Sequence, residues 1–252
     1  MRLWALGMLI AAMLAAAPAR ACEGGDCANG LAYAAYGPAK ANTLVVFLHG
    51  DVSGGGPADY MYAHAKSFAA SRKGVVAVAL LRPGYYDREG KRSSGHDGGR
   101  RDTFHASNNR TIAGAISELK AKYGATRVIG LGHSAGAGTL GVLAGSNAGL
   151  LNGVVLASCP CDVRAWDMHR GRQRGSSSQS PIDYLGSVPA GTPIVAVTGS
   201  GDENTTPALA EAYISKARAL GLPARVQIVG GGHNFGGAIG STAISALGGM
   251  VR

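Results

Sequence analysis

Gly132-His133-Ser134-Ala135-Gly136 stands between two segments of opposite character. Ahead of it, Arg127-Val128-Ile129-Gly130-Leu131 is short, apolar and β-branched, the pattern of a buried strand. Behind it, Ala137 to Ser146 is rich in Ala and Leu and reads as the start of a helix. A turn this tight between strand and helix forces its central residue into strained angles, so the flanking residues must lack bulk. Gly132 and Gly136 meet that demand. The turn holds the Ser134 hydroxyl clear of the sheet, and the helix N-terminus aims backbone N–H groups at an incoming carbonyl. Glycine is abundant, 40 of 252 residues, so the pentapeptide carries weight only if partners for the serine occur elsewhere.

Outward from this turn, apolar runs alternate with helical patterns. Leu31 to Tyr36 reads as an edge strand broken by Gly37-Pro38. Thr43 to Leu48, Val75 to Leu81, Gly153 to Ala157, Pro193 to Thr198 and Arg225 to Val229 read as further strands. Most are apolar throughout, as strands covered on both faces are. Helical spacing marks Ala58 to Ser71, Asn109 to Tyr123, Pro207 to Leu220 and a closing helix at Ser241 to Leu247. Arg82 to Asn108 and the polar connector Asp162 to Ser180 are read as loops. The expected architecture is therefore α/β, a mostly parallel twisted sheet with helices on both faces.

A serine hydroxyl needs a base to take its proton, and the base needs a carboxylate to orient it. Two expected strands end in loops that carry these groups, Gly199-Ser200-Gly201-Asp202-Glu203-Asn204 and Gly230-Gly231-Gly232-His233-Asn234-Phe235. Functional groups in parallel sheets collect just past the carboxyl ends of the strands. Ser134, Asp202 and His233 follow the chain order Ser, Asp, His, which is not that of the chymotrypsin or subtilisin arrangements. Glu203 competes with Asp202 for the acid position, and adjacent side chains diverge, so only one of them can face His233. Of the other histidines, His133 is expected to pack within the elbow and His49 to brace the loop after the first buried strand. No histidines pair at metal-ligand spacing with acidic or thiol company, so neither metal nor cofactor is expected.

On these motifs, with His49-Gly50 and Arg82-Pro83-Gly84-Tyr85, the chain resembles the α/β-hydrolases over nearly all of residues 22–252. Its C-terminal half is similar in layout to esterases and to prolyl-oligopeptidase-type catalytic domains. The resemblance implies Ser134 as nucleophile, His233 as base and Asp202 as its orienting acid. It implies an oxyanion hole from the backbone N–H groups of Ala135 and Asp51. A carboxylate at 51 must point away from the developing oxyanion. Tyr85, Tyr86 and Trp166 are candidates to line the substrate pocket. The expected activity is cleavage of small-molecule or polymer-end carboxylic esters through an acyl-enzyme. The competing readings are a peptidase of prolyl-oligopeptidase type without its propeller, and a hydrolase-fold binding protein without catalysis.

Composition and the N-terminus set the remaining expectations. Met1-Arg2, an apolar run and Ala19-Arg20-Ala21 read as a signal peptide over residues 1–21, leaving 22–252 as one exported domain, periplasmic or extracellular. Arg20 counts against a lipid-modified Cys22. No later stretch is long and apolar enough for a membrane span. The formal net charge of +9 is spread along the chain without aromatic-interleaved basic stripes, so nucleic acid is not expected as a partner. Arginines at 82, 88, 92, 100, 101, 164, 170, 172 and 174 could instead form a basic rim that attracts an anionic substrate. The four cysteines of an exported chain favour disulfides, either locally as Cys22–Cys27 with Cys159–Cys161 or cross-paired. Oligomeric state is not legible in the sequence.

Overall fold

The computed structural model describes Cys22 and residues 26–101, 104–172 and 177–251. The expected leader at 1–21 and Arg174 lie outside these residues. Among the described residues eight strands form one sheet: β1 (Cys27–Ala28), β2 (Leu31–Tyr36), β3 (Thr43–Leu48), β4 (Val75–Leu80), β5 (Arg127–His133), β6 (Gly153–Ala157), β7 (Ile194–Gly199) and β8 (Ala224–Val229). Their order is β1-β2-β4-β3-β5-β6-β7-β8. The pairs β1/β2 and β2/β4 are antiparallel, and every pair from β4 to β8 is parallel. The described helices are α1 (Met61–Ala70), α2 (Ala106–Tyr123), α3 (Ala135–Ser146), α4 (Val163–His169), α5 (Pro207–Ala219) and α6 (Gly237–Met250).

Side chains alternate across the sheet with a period of two, so each apolar strand feeds two cores. Val46, Leu48, Val78, Val128 and Leu156 pack with Ile116 and Leu119 of α2, Leu140 and Leu143 of α3, and Tyr213 of α5. Val45, Phe47, Ala77, Ile129, Leu131 and Val155 face the other way, onto Met61 and Phe68 of α1 and Ala243 and Leu247 of α6. All six residues of β3, β4 and β7 are buried. Burial on both faces explains why these strands read as unbroken apolar runs.

Four elements depart from the sequence reading. Helix α2 begins at Ala106, inside the stretch read as loop. Helix α4 lies within the segment read as a polar connector. Asp162 caps it by accepting from the N–H groups of Arg164 and Ala165, both at 3.1 Å, while Val163, Trp166 and Asp167 are its buried side. Helix α6 extends well beyond 241–247 despite its glycines, because Ile239, Ala243, Ala246, Leu247 and Met250 bury one stripe against the sheet. The short β1 places a further strand outside β2, which is thus not the outermost. The cysteines take the local pairing, Cys22 with Cys27 and Cys159 with Cys161, at Cα separations of 6.0 and 5.1 Å. No helix among the described residues is long and apolar enough to cross a membrane.

Candidate active site

Strand β3 has β4 on one side and β5 on the other, so the chain leaves it in one direction and later returns on the opposite flank. A crevice opens beyond the carboxyl ends of the strands at such a reversal. The loop His49-Gly50-Asp51 leaves β3 there, and Ser134 leaves β5 beside it. Leu48 pairs with Gly132 in register, which sets the two exits side by side. Ser134 sits at φ 52°, ψ −120°, between the end of β5 and the first residue of α3. The sterics of the turn leave no freedom in its neighbours. A Cβ on Gly132 would stand 2.5 Å from Gly136 C and Ala137 N, and one on Gly136 would run into the carbonyl oxygens of Leu48 and His49. A Cβ on Gly50 would stand 2.8 Å from Ser134 Cβ, so the loop after β3 lies directly over the serine.

Three groups distant in sequence meet at this point. His233 Nε2 is 3.0 Å from Ser134 Oγ. His233 Nδ1 is 3.0 Å from Asp202 Oδ2 and 3.1 Å from Oδ1. Asp202 is 2 % exposed. Its oxygens also accept from the N–H and Oγ1 of Thr205, each at 2.8 Å, and from the Asn204 N–H at 3.0 Å. Burial raises the Asp202 pKa, but the bonds from His233 and Thr205 outweigh it, and the carboxyl is held below the usual carboxylate range. Glu203 is exposed, and its backbone carbonyl is 2.9 Å from His169 Nε2. Of the two acids considered from the sequence, Asp202 is therefore the one facing the imidazole.

Asn204 is a neighbour that the sequence reading did not single out. Its Nδ2 is 3.1 Å from His233 Nε2, next to the serine contact. The Trp166 indole N–H donates to the Asn204 backbone carbonyl at 2.8 Å and to Oδ1 at 3.3 Å. Because an indole N–H only donates, that contact fixes which end of the amide faces the imidazole. Trp166 itself is 1 % exposed and packs with Phe104, Val163 and Leu209 behind Ala135. It stiffens the wall of the site, in place of the pocket-lining surface expected for it.

The loop after β3 is anchored through buried polar contacts. Asp51 Oδ1 accepts from Arg82 Nη1 at 2.6 Å and from the Tyr85 hydroxyl, which turns the carboxylate toward β4. Tyr85, expected in the pocket, is 1 % exposed and belongs to this anchor. Tyr86 is half-buried, with the guanidinium carbons of Arg92 and Arg100 at 4.6 and 5.5 Å from its ring centre. His49 accepts the Arg82 N–H at Nε2, 2.9 Å, and its Nδ1 meets the Gly50 carbonyl at 2.7 Å. Burial, with the Arg82 charge beside it, pushes the His49 pKa down to about 3, so this ring stays neutral. Several of the rim cations have carboxylate partners: Arg82 with Asp51, Arg88 with Asp59, Arg100 with Asp97 and Arg164 with Asp183. Arg100 Nη1 also donates to the carbonyls of Val52 and Gly56, at 3.1 and 2.8 Å, and so ties the glycine-rich loop to the 82–101 excursion.

No protein-family model matches the sequence, and no curated protein matches it. Solved structures do. TT1662 from Thermus thermophilus is 16 % identical, with a TM-score of 0.66 over 89 % of this chain and 95 % of its own. Est1E from Butyrivibrio proteoclasticus is 13 % identical, with a TM-score of 0.62 over 92 % and 98 %. Dipeptidyl peptidase 4 from Porphyromonas gingivalis is 14 % identical, with a TM-score of 0.63 over 87 % of this chain but only 33 % of that one. With the strand order, the strained serine turn and the placement of loops beyond the carboxyl ends, these likenesses show that the chain has the α/β-hydrolase fold.

Proposed function

We propose that the protein is a serine hydrolase that cleaves carboxylic esters through an acyl-enzyme. The observation that carries this reading is the continuous contact from Asp202 through His233 to Ser134, at 3.0 Å on each side of the imidazole. His233 takes the Ser134 proton at Nε2 as Oγ bonds to the ester carbonyl carbon, and the carbonyl oxygen becomes an oxyanion. The Ala135 N–H, at the first turn of α3 where backbone donors lack intrahelical partners, is proposed as one oxyanion donor. The Asp51 N–H is proposed as the second. The intermediate collapses with cleavage of the bond to the leaving oxygen, and that oxygen takes the proton from His233. Water, deprotonated by His233, then attacks the acyl-serine, and Ser134 recovers its proton as the acid departs.

Three neighbours of the same fold bear on the substrate. The Pyrococcus furiosus esterase Pf2001 and esterase PE8 are named as esterases, and Est1E has been solved with ferulic acid bound. Between β6 and β7 the described residues add only α4 and two 3₁₀ turns, Pro181–Asp183 and Leu185–Ser187, the turns packed close against α3. That favours short acyl groups or exposed polymer ends over long-chain lipids. The exposed Arg101, Arg170 and Arg172 are the groups that would steer an anionic substrate. Export is proposed from the leader-like N-terminus and the two disulfides.

The test compares kcat/KM for p-nitrophenyl acetate and butyrate with that for aminoacyl-nitroanilides. Faster ester turnover, lost in Ser134→Ala together with fluorophosphonate labelling, supports the reading. Faster cleavage of the anilides would replace it with the peptidase reading. A wild-type protein that neither turns over ester nor takes the label would be a binding protein.

A further inference from the structure

We propose that Tyr60 and His133 are a positioning pair that locks the loop after β3 and the His233 loop onto the serine turn. The inference rests on the catalytic reading of Ser134 given above. Tyr60 immediately precedes α1, and His133 is the residue before Ser134. The Gly50 N–H donates to the Tyr60 hydroxyl at 2.6 Å. The same hydroxyl is 2.7 Å from His133 Nδ1, and His133 Nε2 is 2.8 Å from the His233 backbone carbonyl. One chain of hydrogen bonds thus joins the three loops that carry the proposed oxyanion donor, nucleophile and base.

The direction of every proton in this chain is determined by its two ends. The His233 carbonyl can only accept, so His133 carries its proton on Nε2. Nδ1 is then a bare lone pair and takes the Tyr60 O–H. The Tyr60 oxygen is left to accept from Gly50, whose N–H can only donate. Burial, which pushes the His133 pKa down to about 4, keeps the ring neutral, and for the neutral ring this arrangement pairs every group in the chain. A phenylalanine at 60 or an apolar residue at 133 would leave buried polar groups unpaired.

The chain acts on the site through the Gly50–Asp51 peptide. Tyr60 holds the Gly50 N–H, while His49 Nδ1 meets the Gly50 carbonyl at 2.7 Å. In a trans peptide the N–H points opposite to the carbonyl, so fixing the Gly50 C=O also fixes the direction of the Asp51 N–H. At the other end, the backbone of His233 is tied to the residue next to Ser134, which sets how the imidazole approaches the hydroxyl. His233's side chain is 25 % exposed, so this backbone anchor restrains a ring that solvent could otherwise displace. Neither Tyr60 nor His133 is proposed to touch substrate.

The experiment measures kcat and KM for p-nitrophenyl butyrate per active site titrated with a fluorophosphonate, alongside melting temperature. The variants are Tyr60→Phe, His133→Gln and the double. His133→Gln keeps a donor near the His233 carbonyl but takes away the ring nitrogen Nδ1, the atom that faces the Tyr60 hydroxyl. The expected result is a loss in per-site kcat of about 10- to 100-fold in each single variant, the scale on which small misplacement of reacting groups costs rate. KM should change little, and the double variant should be no slower than the slower single, because both break one chain. Wild-type per-site kcat in Tyr60→Phe, or losses that multiply in the double variant, would overturn the proposal. If a variant merely unfolds, titrated sites fall while the kcat of those remaining is unchanged, and that too overturns it. Ser134→Ala is the separate control: activity surviving there would remove the catalytic reading itself.

Discussion

Arg82 Nη1 and Asp51 Oδ1 stand 2.6 Å apart, in an ion pair whose side chains are only 7 % and 2 % exposed. Asp51 supplies one of the two proposed oxyanion donors, yet its own carboxylate carries the sign that opposes an oxyanion. Arg82 resolves this conflict by drawing the charge toward β4 and neutralising it. Removing one partner of a buried pair leaves the other uncompensated, at a cost of about 3–5 kcal/mol. Arg82→Met is therefore expected to lower stability by about that amount in urea unfolding. It should also reduce kcat, since the carboxylate, still bonded to the Tyr85 hydroxyl, is then no longer neutralised beside the developing negative charge. An Arg82→Met protein with wild-type midpoint and kcat would show the pair to be incidental.

Glycines in the same fold should respond oppositely to alanine. At Gly136 a methyl group meets the carbonyls of Leu48 and His49, backbone atoms that cannot step aside without moving β3. At Gly240 in α6 the nearest atom to a new Cβ is at 3.7 Å, an ordinary contact. Gly136→Ala should lower ester turnover by at least about 100-fold, because it displaces the oxyanion donors relative to the serine. Gly240→Ala should leave turnover intact and add roughly 0.5–1 kcal/mol, since it removes helix-opposing freedom from the unfolded chain. Melting temperature and p-nitrophenyl butyrate rates for the two variants decide the matter.

Acid should weaken the fold well above the range where carboxylates titrate. His133 and His49 are buried neutral, with pKa pushed down from 6.5 to about 4 and about 3. His133 faces His233, Tyr60 and Asp202, and His49 faces Arg82, Asp51 and Arg100. Between pH 6.5 and about 4 the unfolded chain binds protons at both positions that the folded chain refuses. Stability therefore falls as pH is lowered through that window, by on the order of 1 kcal/mol per pH unit for each group. Asp202, held below the usual carboxylate range, adds stability that is present above that range and is lost as pH falls from it through the lower folded pKa. Urea midpoints should drop steadily from pH 6.5 to 4.5, and His133→Gln should make that drop shallower. A flat wild-type profile would mean these rings are not protonation-resistant.

The parts of this architecture legible in the sequence are those under one dominant constraint. β3, β4 and β7 are covered on both faces, so apart from Thr43 and Thr198 no residue in them is polar, and each strand shows as a run. Ser134, Asp202 and His233 lie where strands end in glycine-rich turns, so the spacing exposes them. Helix α4 is not legible because its seven residues bury only Val163, Trp166 and Asp167, too few positions for a period. Tyr85 was misplaced because an aromatic in a polar loop carries no mark of burial; only the fold brings Asp51 and the Arg100 guanidinium against it. Asn204 and Tyr60 escaped for a similar reason. Their roles arise from where a loop curls, as when Asp202 caps the N–H groups of 204 and 205, and not from residue spacing.

The serine itself should be a site of stored strain. Its φ of 52° with ψ of −120° lies outside the regions that residues with a Cβ occupy readily. Such a conformation costs of order 1–3 kcal/mol and persists only where the surroundings impose it. Here the register of β5, the Ser134 N–H bonded to the Ala157 carbonyl at 2.8 Å, and the Gly138 N–H bonded to the Ser134 carbonyl at 3.0 Å do so. Ser134→Ala and Ser134→Gly both remove the hydroxyl and its bond to His233, so their stability difference sets relief of the backbone strain against the lost Cβ contacts and the freer unfolded chain of glycine. Glycine adopts positive φ without the Cβ clash, so Ser134→Gly should be more stable than Ser134→Ala by about 1 kcal/mol in urea, while both are inactive. If Ser134→Gly is instead the weaker of the two, the turn is relaxed, and the hydroxyl is presented without cost to the fold.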